Sequence, residues 1–122
     1  MIKGRSKEGF SADAFFQALF HSSPNAVLVT RVCDGTILHA NDRFCSIAGF
    51  AREEVIGKTT LELNLYFNPS DRTLFLSKMS KDGVLEPQHA DFRRRDGSQF
   101  TAIVSGRSFW SADYEYVCCS IR

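Results

Sequence analysis

The feature that most limits the possible folds is a pair of Asp-Gly dipeptides, Asp34-Gly35 and Asp96-Gly97. Each dipeptide lies between two runs rich in β-branched and apolar residues. Asp-Gly accepts the positive backbone φ angles of a tight hairpin turn, so each predicts two antiparallel neighbouring strands. The strand-like runs are 26–32, 36–40, 88–95, 99–109 and 114–121. The chain is therefore predicted to contain an antiparallel sheet built largely from hairpins.

Helix signals precede the first hairpin and fill the segment between the two hairpins. Ser11 is a plausible N-cap for a helix that closes near Pro24, and Asn41 and Asn68 can cap two later helices. The predicted terminators are Gly49, Gly57 and Gly83, and Pro69 suits a first helical position. Short helices grouped between hairpin-linked strands predict an α+β fold in which the helices cover one face of the sheet.

Length and charge limit the classes of function. The 122 residues fit one domain, with residues 1–10 expected to form a flexible lead and 11–122 the domain itself, as an excerpt of a longer signalling protein. The formal net charge of +1 gives no global field that would recruit nucleic acid. There is no C-x-x-C pair, no secretory signal and no apolar run of about 18 residues. A cytoplasmic location is expected, either free or within a membrane-attached sensor.

A series of short motifs resembles one family in order and in spacing. The motifs are Ser23–Val27, Asp34–Asn41, Ile47–Phe50, Glu53–Lys58, Asn68–Arg72 and Phe92–Ser98. Together they are similar to the PAS domain, the sensory-box module of bacterial sensor histidine kinases and diguanylate cyclases, over roughly residues 13 to 122. The resemblance implies a five-stranded antiparallel sheet, an apolar pocket, no catalytic activity, and regulation of a covalently linked output domain, a diguanylate cyclase or a histidine kinase.

The resemblance also implies which residues line that pocket. The candidates are Phe44, Ile47, Phe75, Phe92, Ile103, Tyr116 and Cys118. Strand alternation separates Cys118 from Cys119, and comparison with flavin-binding PAS domains turns the Cys118 face towards the pocket. The competing interpretation, which we favour for a chain with 11 Phe, is that the aromatic candidates are simply core.

The ligand itself is not specified by the sequence. No cysteine lies in 57–66, where photochemical flavin relatives carry their adduct-forming residue, and no histidine lies in 68–83, where haem-binding relatives carry a proximal ligand. Non-covalent flavin stays open, with Trp110 or Tyr116 nearby. The scattered histidines and cysteines predict no metal site, and Arg93–Arg95 is expected to be a solvated face that binds no nucleic acid.

The first predicted helix carries an apolar stripe that needs a partner surface. Its residues are Phe15, Phe16, Leu19 and Phe20. This stripe is too apolar for an isolated exposed helix, so it packs either on the sheet of its own chain or against a second protomer. The expected partner is a second copy in a homodimer. The alternative function is a ligand-free PAS dimerisation or interaction module, while a hotdog-like thioesterase would need one long central helix instead of several short ones.

Overall fold

Residues 10–122 are described by a computed structural model. The predicted lead at 1–10 therefore falls outside the described residues except for Phe10. The helices are α1 (Ala12–Ser22), α2 (Asp42–Ala48), α3 (Arg52–Val55) and α4 (Pro69–Met79). The strands are β1 (Ala26–Arg31), β2 (Ile37–Ala40), β3 (Val84–Arg93), β4 (Gln99–Ser111) and β5 (Tyr114–Ile121).

The strands form one five-stranded antiparallel sheet in the order β2-β1-β5-β4-β3. β5, the last strand of the chain order, lies in the centre and pairs with β1 on one side and β4 on the other. The helices α2 and α4 pack against β1 and β3 respectively. The predicted α+β class and the five-stranded sheet with its short helices are confirmed.

Local capping chemistry explains where most of the helices begin. The Ser11 hydroxyl accepts a hydrogen bond from the Ala14 amide at 3.2 Å, and the Asn41 side-chain oxygen accepts one from the Phe44 amide at 2.9 Å. These two predicted caps are confirmed. Asn68 stands at the predicted start of α4, but its side chain makes no capping hydrogen bond. Pro69 fixes the first turn there, since it has no amide hydrogen that needs an acceptor.

β3 begins four residues earlier than the sequence predicted, at Val84 instead of Gln88. Pro87 lies inside this extension and has no amide hydrogen to donate to a neighbouring strand. The register moves from Leu85 opposite Gly106 to Gln88 opposite Val104, so β3 uses one residue more than β4 over this stretch. This bulge on an edge strand accommodates the proline without ending the strand.

The core lies between the inner face of the sheet and helices α2 to α4. Its largest fully buried apolar side chains are Phe44, Phe92, Ile37, Leu65, Val55 and Val104. The helix α1 lies apart from this layer, and its Phe16 ring contacts the His39 ring of β2 at 5.4 Å. None of the helices in residues 10–122 is long and apolar enough to cross a bilayer.

Candidate functional site

A cavity of about 50 Å³ lies between the inner face of the sheet and helix α4. Sheet residues that form its apolar wall include Leu28, Val104, Val117, Cys119 and Ile121, and α4 contributes Phe75, Leu76 and Met79. Polar groups reach it as well, from Thr60, Tyr66, Arg31 and Arg72. The cavity is thus an apolar space with a small number of polar groups, the usual character of a small-molecule site.

Strand β5 presents to this cavity the face opposite to the predicted one. Val117, Cys119 and Ile121 line it, whereas Tyr116 lines a groove on the other face of the sheet and Cys118 is exposed. The alternation of the two cysteines is as expected, but the inward assignment of Cys118 and Tyr116 does not match the structure. The physical reason is that Val117 and Ile121 lie on the same face of β5. Burying these aliphatic side chains removes more apolar surface from water than burying the opposite face would.

The other predicted lining residues separate into two groups. Phe75 lies on the cavity wall. Phe44 and Phe92 are buried in the close-packed core, where the Phe92 ring lies 5.5 Å from that of Phe100. Ile47 and Ile103 are half-buried and do not line the cavity. Two of the four aromatic candidates, Phe44 and Phe92, thus hold the core position that the competing interpretation favoured.

Sequence reasoning missed Thr60, Tyr66 and Arg72. The Thr60 side chain is buried, with 7% of the residue exposed, and its hydroxyl finds no hydrogen-bond partner within residues 10–122. Native proteins pair nearly all buried polar atoms, so an unpaired hydroxyl on a cavity wall needs an explanation. Only Arg72 belonged to a motif, the one at the start of α4, and nothing in the sequence pattern distinguishes Thr60 from Thr59.

The titratable groups of the lining leave it with one unbalanced positive charge. Burial raises the pKa of the Tyr66 phenol well above its usual range and the pKa of the Cys119 thiol to about 12, so both groups are neutral at pH 7. The Arg31 guanidinium lies 2.8 Å from the Asp34 carboxylate, and that hydrogen bond holds the pKa of Asp34 well below its usual range. Arg72 forms no ion pair with any described residue.

The Arg72 side chain lies against the hairpin turn between β1 and β2. Gly35 in that turn has φ +73°, and a Cβ atom there would lie 2.7 Å from an Arg72 guanidinium nitrogen. The missing side chain therefore lets the guanidinium lie directly on the turn backbone at the cavity. Helix α4 and the first hairpin meet at this point.

A second apolar feature lies on the outer face of the sheet. A groove of about 310 Å³ is lined by Phe16 of α1 and by residues of the sheet that include Val29, Leu38, Phe109 and Tyr116. Of these residues Phe16 and Phe109 are 38% and 44% exposed, and on the same helix as Phe16 the residues Phe15 and Leu19 are 51% and 57% exposed. Among the described residues, no three His, Cys, Asp or Glu side chains come together as metal ligands would.

The described residues thus form a helix-covered antiparallel sheet with a small apolar cavity beneath α4. The PAS fold family model matches residues 14–122. The chain therefore belongs to the PAS family, whose members are the sensory domains of signalling proteins and are generally not enzymes.

Solved structures give the same result. A PAS domain of a two-component sensor histidine kinase has a TM-score of 0.77 at 15% identity, with 90% of this chain and 94% of that chain covered. The PAS domain of an HTR-like protein from Haloarcula marismortui has a TM-score of 0.73 at 30% identity, and the match covers 98% of each chain. The PAS domain of a LuxR-family transcriptional regulator from Burkholderia thailandensis was solved in complex with ethanol. It has a TM-score of 0.69 at 23% identity, and the match covers 88% of this chain and 95% of that chain. No curated protein matches the chain.

Proposed function

We propose that this PAS domain detects a ligand of a few non-hydrogen atoms in the cavity beneath α4 and passes the event to a covalently linked output domain. The observation that carries the proposal is the apolar cavity itself, which lies between the sheet and α4 and is lined by a small number of polar residues, Thr60 among them. A bound ligand would fill the space and restore close packing.

The volume supports a small ligand in preference to a large cofactor. One water molecule needs about 10–15 Å³, so a cavity of about 50 Å³ is larger than a single water and suits a ligand of a few non-hydrogen atoms. Pockets for drug-sized ligands are about 300–1,000 Å³, and flavin or haem is of that size or larger. The LuxR-family PAS domain that was solved with ethanol shows that a relative with this fold accommodates a ligand on this scale.

Binding of 1-propanol to two matched variants tests the proposal. Cys119→Met fills the cavity with a flexible apolar side chain, whereas Cys118→Met makes the same change on the outer face. An NMR titration should show saturable binding to the parent chain, a loss of about tenfold or more in Cys119→Met, and little change in Cys118→Met. The proposal fails if the parent chain shows no saturable shifts or if both variants bind as the parent does.

A histidine kinase is the output domain that we favour over a diguanylate cyclase. A sensor histidine kinase is the source of one of the PAS domains that this chain resembles. Autophosphorylation of the longer protein that contains this domain, measured with and without the cavity ligand, tests this assignment. A rate that the ligand leaves unchanged would count against it.

We also propose that the domain forms a homodimer through α1 and the outer face of the sheet. The exposed apolar residues of that surface support this, because Phe16, Phe109 and Tyr116 line one groove and Phe15 and Leu19 are exposed on the same helix as Phe16. Isolated surface apolar residues are ordinary, but a contiguous set of aromatic rings marks an interaction surface. Sedimentation of the chain measures its mass in solution and tests the proposal.

A further inference from the structure

We propose that the cavity ligand is a short-chain carboxylate of about two to four carbons, with its carboxylate held by Arg72 and its apolar tail inside the cavity. This inference rests on the proposed function, because it names the chemical class of ligand that the same cavity would take.

The charge of the lining favours an anion. Two arginines reach the cavity, and no aspartate or glutamate is among its lining residues. Asp34 already neutralises Arg31 at 2.8 Å, and Asp71, next to Arg72 in the chain, does not line the cavity. One guanidinium is therefore left without a counter-charge among the described residues. Guanidinium presents paired N–H donors in the geometry that a carboxylate accepts.

Arg72 reaches the cavity from beside the first hairpin turn. Its guanidinium lies on the Cα of Gly35, in a space that a side chain would fill. Arg72 also lies in the first turn of α4, one turn from Phe75, which forms part of the apolar wall. Helix α4 thus offers one short amphipathic molecule both a contact for its charged head group and a contact for its apolar tail.

Thr60 is a second polar residue of the lining. It has no partner within residues 10–122, is nine-tenths buried and lies on the same lining. A hydroxyl donates one hydrogen bond and accepts others, so a rotation of the Thr60 side chain towards the cavity would let it bind an oxygen of either a carboxylate or an alcohol. Arg72, by contrast, discriminates between them, because only the carboxylate carries a charge.

Propionate and 1-propanol are the probes, since they have the same carbon chain and differ in charge. The parent chain should bind propionate at least about tenfold more tightly than 1-propanol in an NMR titration at constant ionic strength. Arg72→Gln should remove this preference and leave 1-propanol binding within about twofold. Arg31→Gln, the matched control, should keep the preference. Thr60→Val should weaken both ligands.

The outcomes separate the two proposals. If 1-propanol binds and propionate binds no more tightly, the carboxylate inference is overturned while the small-ligand cavity stands. If neither probe binds the parent chain, both are overturned. Equal losses of propionate affinity in Arg72→Gln and Arg31→Gln would show a general charge effect and overturn the assignment of Arg72. Unchanged 1-propanol binding in Arg72→Gln also shows that this variant keeps its fold.

Discussion

A single asparagine joins three parts of the chain beneath the start of α2. Asn41 has no exposed surface. Its side-chain oxygen accepts hydrogen bonds from the Val27 and Phe44 amides, both at 2.9 Å. Its side-chain nitrogen donates to the carbonyls of Phe20 at 3.0 Å and Asn25 at 2.9 Å. Asn41 is therefore a structural residue with its polar atoms paired to backbone, and it is not available to a ligand.

Asn41→Ala should lower the free energy of unfolding by about 3 kcal/mol or more, because several buried backbone groups lose their partner together. Asn68→Ala is the matched control, since Asn68 also precedes a helix but makes no capping bond and is exposed. Its effect should stay within about 0.5 kcal/mol. Urea unfolding measures both. Equal losses in the two variants would contradict the role assigned to Asn41.

At the scale of the element, the two faces of β5 should differ in chemical reactivity. Burial raises the pKa of both adjacent thiols, that of Cys119 to about 12, but Cys118 is exposed. A raised pKa lowers the fraction of reactive thiolate at pH 8. In single Cys→Ser variants of this pair, iodoacetamide should modify the remaining Cys118 at least about tenfold faster than the remaining Cys119.

Mass spectrometry of the C-terminal peptide gives both rates. In denaturing urea the two rates should become equal, because the difference arises from the fold. Faster modification of Cys119 in the folded chain would show that the strand faces the other way.

Most elements could be predicted because their signals are local. Asp34-Gly35 and Asp96-Gly97 fix the hairpins, and Ser11 and Asn41 fix two helix starts, through chemistry confined to a few neighbouring residues. The early start of β3 was not predicted because a proline argues against a strand. Only the bulge around Pro87, which the sequence does not reveal, lets the strand include it.

The candidate site was harder to predict because it is formed by residues far apart in sequence. Alternation sorts the residues of β5 into two faces but does not say which face is inward. The aliphatic pair Val117 and Ile121 would have favoured the correct face. Thr60 carries no signal at all, since an unpaired hydroxyl can be recognised only after its surroundings are known.

At the scale of the molecule, the proposed dimer separates the α1 residues into two roles. Phe20 is 8% exposed and packs inside its own protomer, with its ring 5.0 Å from that of Phe16. It therefore belongs to the intramolecular contact, and Phe20→Glu should destabilise the fold. Phe15 and Leu19 point into solvent and are free to contact a second copy.

Replacing Phe15 and Leu19 together by Glu should convert the dimer into a folded monomer, because two carboxylates would be buried at the interface. Leu61 and Leu74 are similarly exposed but lie away from α1, so the same double replacement there should leave the dimer intact. Sedimentation measures the masses and circular dichroism the fold. A monomeric parent chain, or a dimer that survives the α1 replacements, would rule out this interface.

The central position of β5 has a consequence for communication between the two surfaces. Cys119 lines the cavity and Cys118 the opposite face, so only the thickness of one backbone separates a cavity ligand from the outer surface. If both proposals hold, the two binding events strain the same peptide units. Thermodynamic linkage then requires the two effects to be reciprocal. If the ligand changes the dimerisation constant by some factor, dimerisation changes the ligand affinity by the same factor. The sheet would act as the coupling element itself, with no moving domain needed between input and response.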